Sequence, residues 1–142
     1  MNTRITGVSR PEGRGWEMEK LFHCTFSTYR RTKIFLGDLE EELRKVFAQI
    51  ICEKGYDVSS YEIMPDHVHL LVRTSRENLS KVMSMVKGIS ARRIFQAFPD
   101  LRLDMGSNHL WTSGYHALEV SEGKIQRVLG YIAQQKRRGG LI

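Results

Sequence analysis

Two short hydrophobic runs, Val58 to Met64 and His67 to Val72, flank Pro65 and Asp66, and this arrangement constrains the chain more than any other segment. Proline fixes φ and aspartate hydrogen-bonds its own local backbone, so Met64-Pro65-Asp66 reads as a tight turn. The flanking runs then read as two strands of an antiparallel hairpin. Upstream, Phe22, Cys24 and Phe26 alternate with His23, Thr25 and Ser27, the period-two pattern of a half-buried strand beginning at Leu21. Leu39, Leu43, Val46, Phe47, Ile50 and Ile51 recur at helical spacing, with Asp38 and Glu41 as a capping pair and Gly55 as terminator. A second helix is predicted from Asn78 to Phe98, its core face carrying Leu79, Val82, Met83, Val86, Phe95 and Phe98, with Pro99 just past its end. Tyr115 to Val120 reads as a fourth strand. Ile125, Val128, Leu129 and Ile132 mark one face of a last helix, closed by Lys136, Arg137, Arg138 and Gly139. The order β-α-β-β-α-β plus a helix predicts an α+β fold, ferredoxin-like or RRM-like, with an antiparallel sheet. Two helices on one face leave the other face open, so something must cover it or bind there.

At 142 residues the chain has room for one compact domain, placed at 21–142 behind a polar N-terminal arm over 1–20 broken by Gly7, Pro11, Gly13 and Gly15. A hydrophobic fraction of 41% with 27% charged residues is an ordinary globular mixture and argues against wholesale disorder. The net charge of +6 favours a polyanionic partner, which by itself fits nucleic acid or an anionic membrane. With no secretory h-region and no apolar run of about 18 residues, a cytoplasmic protein is expected, without membrane partners. Cys24 and Cys52 lack CxxC spacing and read as reduced structural thiols.

Specific chemistry enters at His67 and His69. Strand residues two apart project from one face, about 6.5 Å apart along the chain, so both imidazoles point the same way and can hold one metal ion. An HxH pair is more often an ordinary pair of strand histidines, yet the stiff turn before it and the hydrophobic strand after it fix these two rings. Tyr131 and Gln135 lie one helical turn apart, on one face and offset from the core stripe. Most such pairs are simply exposed, although a phenol can act as a covalent nucleophile and a glutamine can offer a neutral oxygen to a metal. Gly130 costs a helix interior roughly 1 kcal/mol, which calls for close packing, flexibility or close approach of a substrate. Lys81, Lys87, Arg92 and Arg93 on the second helix, with Arg30 and Arg31 after the first strand, are candidate phosphate contacts or a solvated charged face. Trp111 reads as buried beside the fourth strand, and His109 and His116 have no partner at metal spacing.

Taken in order, Phe22-His23-Cys24-Thr25-Phe26, Tyr29-Arg30-Arg31, Met64 through Val72, Lys87-Gly88-Ile89-Ser90-Ala91, Leu110-Trp111 and Tyr131-Ile132-Ala133-Gln134-Gln135 resemble the single-tyrosine HUH transposases of bacterial insertion sequences, the IS200-like family. The likeness spans residues 21 to 138. It implies a homodimer, with active sites shared between subunits, that cuts and rejoins single-stranded DNA at hairpin-marked ends. By position it implies Tyr131 as the nucleophile that forms a 5′-phosphotyrosine link. It likewise implies His67, His69 and Gln135 as ligands of Mg²⁺ or Mn²⁺. Two departures stand out: Met64 occupies a place where some members carry an aspartate, and Thr28 one where a lysine is common. The competing expectation is a non-catalytic nucleic-acid-binding module of the same fold. A replication or conjugation nickase is disfavoured, since 142 residues leave no room for a partner domain.

Overall fold

The computed structural model describes residues 19–140; apart from Glu19 and Lys20, which open the first strand, the expected N-terminal arm lies outside the described residues. The elements follow the predicted order: β1 (Glu19–Ser27), α1 (Asp38–Lys54), β2 (Asp57–Ile63), β3 (His67–Ser75), α2 (Arg76–Ala97), α3 (Leu101–Met105), β4 (His116–Val120) and α4 (Ile125–Gly140). The sheet order is β2-β3-β1-β4 with every neighbouring pair antiparallel, so the two central strands are those carrying His23 and the His67–His69 pair. In the β1–β3 register Thr25 lies opposite His69 and Ser27 opposite His67.

Alternation sorts the side chains. Phe22, Cys24 and Phe26 of β1 and Val68, Leu70 and Val72 of β3 are buried together with Leu43, Val46, Phe47 and Ile50 of α1 and Leu79, Val82, Met83 and Val86 of α2. Phe26 meets Phe47 and Trp111 edge to face at centroid separations of 6.4 and 4.7 Å. Trp111 is buried as expected, but beside the end of β1, because its segment forms a bridge with Thr28 before β4 begins. Its indole N–H donates to Ser90 Oγ at 3.0 Å, which answers the polar tip of an otherwise apolar side chain. Both cysteines are free, Cys24 buried and Cys52 exposed, and burial pushes the Cys24 thiol up to about 12. Among the described residues no helix is long and apolar enough to cross a membrane.

Several boundaries differ from expectation for identifiable reasons. Asp38 and Glu41 do not form a capping pair: Gly37 takes the N-cap position of α1 at φ +57°, and no side chain caps it. Asp38, Glu40 and Glu41 instead fall in the first turn, where negative charge suits the positive end of the helix dipole. At the other end Gly55 is the left-handed C-cap, as the sequence predicts. Strand β3 runs three residues beyond Val72, and Ser75 then caps α2 by accepting from the Asn78 amide at 3.1 Å. That direct strand-to-helix junction starts α2 two residues early. The short helix α3 follows Pro99 and was not visible as a period.

Phe26 touches both helices' packing layer and Trp111, so Phe26→Ala should cost about 3 to 5 kcal/mol in urea unfolding, with the m-value unchanged.

Candidate active site

The sheet face away from α1 and α2 carries His23 and Thr25 from β1, Glu62 from β2 and the two histidines of β3, and α4 lies against part of it. The docking is light. Of the predicted stripe only Ile132 is fully buried, while Ile125, Val128 and Leu129 are half-buried. A polar tether supplements it: the Lys136 ammonium donates to Glu40 at 2.6 Å and to the Ile63 carbonyl. Gly130 faces open space, so close packing does not account for it.

His67 and His69 converge as their spacing predicts, with ring centroids 5.0 Å apart and planes at 77°. Each ring is held from behind. His67 Nδ1 lies 2.7 Å from Asp66 Oδ1, and Asp66 also accepts from Arg31 Nε at 3.0 Å. Burial alone would raise the Asp66 carboxyl, but the bonds and charges of His67 and Arg31 outweigh it and hold the group below its ordinary value. His69 Nδ1 lies 3.0 Å from Nε2 of His23, the rings stacked at 5.1 Å. Burial, reinforced by the neighbouring His67 and His23, lowers His69 to about 4, so it is a neutral imidazole at neutral pH. Burial likewise lowers His23.

His69 Nε2 is buried without a hydrogen-bond partner. An orphaned buried polar atom costs about 1 to 3 kcal/mol and calls for an explanation. With the shared proton on His69 Nδ1, donated to His23, that orphan is a bare lone pair beside the His67 ring. Tyr131, half exposed, stands edge-on to the His69 ring at 6.4 Å. Gln135 is half-buried one turn farther along the same side of α4, and Glu62 pairs directly across from His69. Among the described residues no three His, Cys, Asp or Glu side chains converge as a metal site. A divalent ion would therefore rest on two neutral imidazoles completed by a neutral donor or water. The backed rings and the bare Nε2 fit such an ion.

A family model described as Transposase IS200 like matches residues 18–135. The chain belongs to the IS200-like transposase family. It is 32% identical to the ISDra2 transposase TnpA of Deinococcus radiodurans over 92% of this chain and 94% of that protein. Against the transposase for insertion sequence element IS200 of Salmonella typhimurium it is 22% identical over 83% of this chain and 80% of that one. A Deinococcus radiodurans crystal structure assigned as a transposase superposes with a TM-score of 0.66 at 30% identity, over 89% of this chain and 98% of its own. A REP-associated tyrosine transposase solved with a REP hairpin shares the fold, with a TM-score of 0.63 at 12% identity over 97% and 76% of the two chains.

The basic residues of this transposase divide by what already holds them. Arg93 bonds Glu53 and Gln49 on α1, and Lys87 donates to the carbonyls of Thr112 and Gly114. Lys81, Arg92 and Arg30 are exposed. Arg31, also exposed, is paired to Asp66. Sequence spacing did not single out His23, whose role follows from strand register: it sits on the outward set of β1, diagonal to His69. Nor did it reveal Asp66 as the carboxylate behind His67, since turn chemistry alone accounts for an aspartate there.

The tether of α4 responds to acid. Burial raises the Glu40 carboxyl, but Lys136 and then Arg44 overcome that and hold it below its ordinary value. A carboxyl lowered by folding contributes stability that is present above the unfolded value of about 4.3 and lost as pH falls through the folded one. Amide exchange in α4, corrected for its intrinsic rate, should quicken relative to the sheet below about pH 4. Lys136→Met should quicken it at neutral pH and remove that acid step.

Proposed function

We propose that this chain is a metal-dependent transposase that cleaves and rejoins single-stranded ends of an insertion sequence through Tyr131. The observation that carries this is the bare, buried Nε2 of His69, set between His67 and the tyrosine of a lightly docked helix. His67, His69 and Gln135 would hold Mg²⁺ or Mn²⁺; imidazoles suit Mn²⁺ better, since magnesium prefers oxygen. When bound, the ion supplies positive charge to the scissile phosphate oxygens and orients the group for in-line attack.

The chain's own residues do the rest. Asp66 and His23 hold the two rings in place, and the Asp66 carboxylate keeps the proton of His67 on Nδ1. The Tyr131 hydroxyl is exposed enough to meet a strand lying across the sheet face. Its oxygen bonds the phosphorus while the bond to the 3′ oxygen breaks. The phenol gives up its proton and the departing 3′ oxygen gains one, leaving a 5′-phosphotyrosine and a 3′-hydroxyl. Attack by another 3′-hydroxyl reverses the exchange and frees the tyrosine, so the linkage is conserved without a nucleotide cofactor.

Hairpin DNA is the proposed recognition element, supported by the REP hairpin on the REP-associated tyrosine transposase of the same fold. Two copies acting as a homodimer would cut two ends. Here Tyr131 stands against the His69 of its own chain, and release of α4 would let the tyrosine helix serve the partner's histidines instead.

Incubation with hairpin-bearing single strands and Mn²⁺ should give a covalent adduct on denaturing gels, absent with chelator and in Tyr131→Phe. An adduct persisting in Tyr131→Phe would remove the nucleophile assignment. Hairpin binding without cleavage under any divalent metal would instead mark a non-catalytic binding module. Asp66→Asn should weaken Mn²⁺ binding, measured by calorimetry, by roughly 10- to 100-fold.

A further inference from the structure

A second site adjoins the catalytic end of the sheet. Strand β1 ends at Ser27, opposite His67, and the next residue is tied to the turn before His67: the Thr28 amide donates to the Asp66 carbonyl at 2.9 Å. Arg30 and Arg31 then take φ of +58° and +55°, two consecutive left-handed residues that are not glycine. Such backbone strain persists only where the surroundings hold it. Here Thr28 Oγ1 and Thr32 Oγ1 bond across the bend to the carbonyls of Thr32 and Tyr29, at 2.8 and 2.9 Å. The bend presents Tyr29 to a cavity of about 490 Å³, whose other walls are α2 at Gly88 and Ala91 and the loop from Asn108 to Ser113. That volume lies in the usual range for small-molecule sites, about 300 to 1,000 Å³. His109 tilts against Tyr29 at 5.7 Å, and the Arg30 guanidinium lies 5.2 Å from the same ring. Lys87 pins the far rim through the Thr112 and Gly114 carbonyls.

Gly88 is the residue that calls for an occupant. It sits in the interior of a 22-residue helix, where glycine is disfavoured, yet its φ is ordinary and a Cβ there would meet nothing within 4 Å. Neither backbone conformation nor crowding accounts for it. What a side chain would do is enter the cavity.

We propose that this cavity receives an unpaired base of the strand held at His67 and so reads one position beside the cut. This rests on the single-strand chemistry proposed above. Tyr29 and His109 offer π-surface, Asn108 and Ser113 offer polar groups to a base edge, and exposed Arg30 stands beside the mouth to meet the attached phosphate. An unpaired base matches that mixture of aromatic wall, polar rim and neighbouring cation. Tyr29 follows Thr28 in the chain, and the Thr28 amide hydrogen-bonds the Asp66 carbonyl, which places the cavity on a strand's route away from the histidines.

The test uses the full chain with Mn²⁺ and labelled short single strands of thymidine, deoxyadenosine or deoxycytidine, beside a strand with the same phosphates and no bases. The wild type should bind at least one base-bearing strand about tenfold or more tighter than the abasic one. Gly88→Leu should fill the cavity and shrink that gap to under about threefold. It should leave abasic affinity unchanged, with the melting temperature equal or raised. Tyr29→Leu should narrow the gap without filling the cavity, and with Gly88→Ala it carries the comparison if the leucine variant does not fold. A wild type with no gap, a gap that survives Gly88→Leu, or an equal loss on base-bearing and abasic strands overturns the proposal. The Tyr131 adduct is scored separately on the same proteins. An adduct with an insensitive gap sinks the pocket alone, and a sensitive gap without an adduct sinks the cleavage chemistry alone.

Discussion

The Pro65 carbonyl accepts from the amides of Ile34 and Phe35, and the Asp66 carbonyl accepts from the amide of Thr28, so one turn gathers the segment that leaves β1. The same aspartate turns its side chain outward to His67 and Arg31. Register, loop path and the orientation of a histidine therefore share one two-residue origin. A proline fits this position because its carbonyl is needed and its amide is not. A tight turn also leaves the β2–β3 hairpin no slack, and a one-residue slip of β3 would carry both histidines to the buried face. The site is accordingly as stiff as the hairpin that bears it.

The tyrosine is held by different means. Three of the four apolar residues predicted to seat α4 remain half-buried; of that stripe Ile132 alone is fully buried, and the Lys136 ammonium adds its bonds to Glu40 and Ile63. Apolar burial on this scale is weak, since each fully buried aliphatic side chain contributes only about 1.5 to 3 kcal/mol. Tyr131 and the histidines thus sit on elements of unequal rigidity. In the proposed reaction the strands would fix where the phosphate lies, while α4 packs on the face away from the core that Phe26 and Trp111 build.

Much of this was legible in the sequence because period and punctuation carried it. Phe22, Cys24 and Phe26 alternate, His67 and His69 are two apart, and Gly55 and Pro99 end helices, so the βαββαβ order and the outward face of β3 follow without coordinates. The capping of α1 did not follow, because Asp38 and Glu41 suit a capping box and a first turn equally well, and only the backbone at Gly37 decides. His23 was hidden for another reason. Its neighbour His69 is 46 positions away and meets it through the antiparallel pairing of β1 and β3, which no local spacing encodes. Lys136 similarly reads as a charge near the end of a helix until Glu40 is found opposite it.

A short chain proposed both to cut and to choose where to cut must place its reading surface within reach of its chemistry. The route here is brief: Ser27 stands opposite His67, the Thr28 amide hydrogen-bonds the turn, and Tyr29 opens onto the cavity. Two left-handed arginines turn the chain at that point, and their strain is held by the threonine bonds on either side and by Arg31 on Asp66. Arg31 therefore belongs to both regions. It joins the bend that presents Tyr29 to the carboxylate that orients His67, so a shift of the bend would be felt at the histidine. On the proposed reading, occupation of the cavity and alignment of the site would be coupled through the Arg31–Asp66 ion pair.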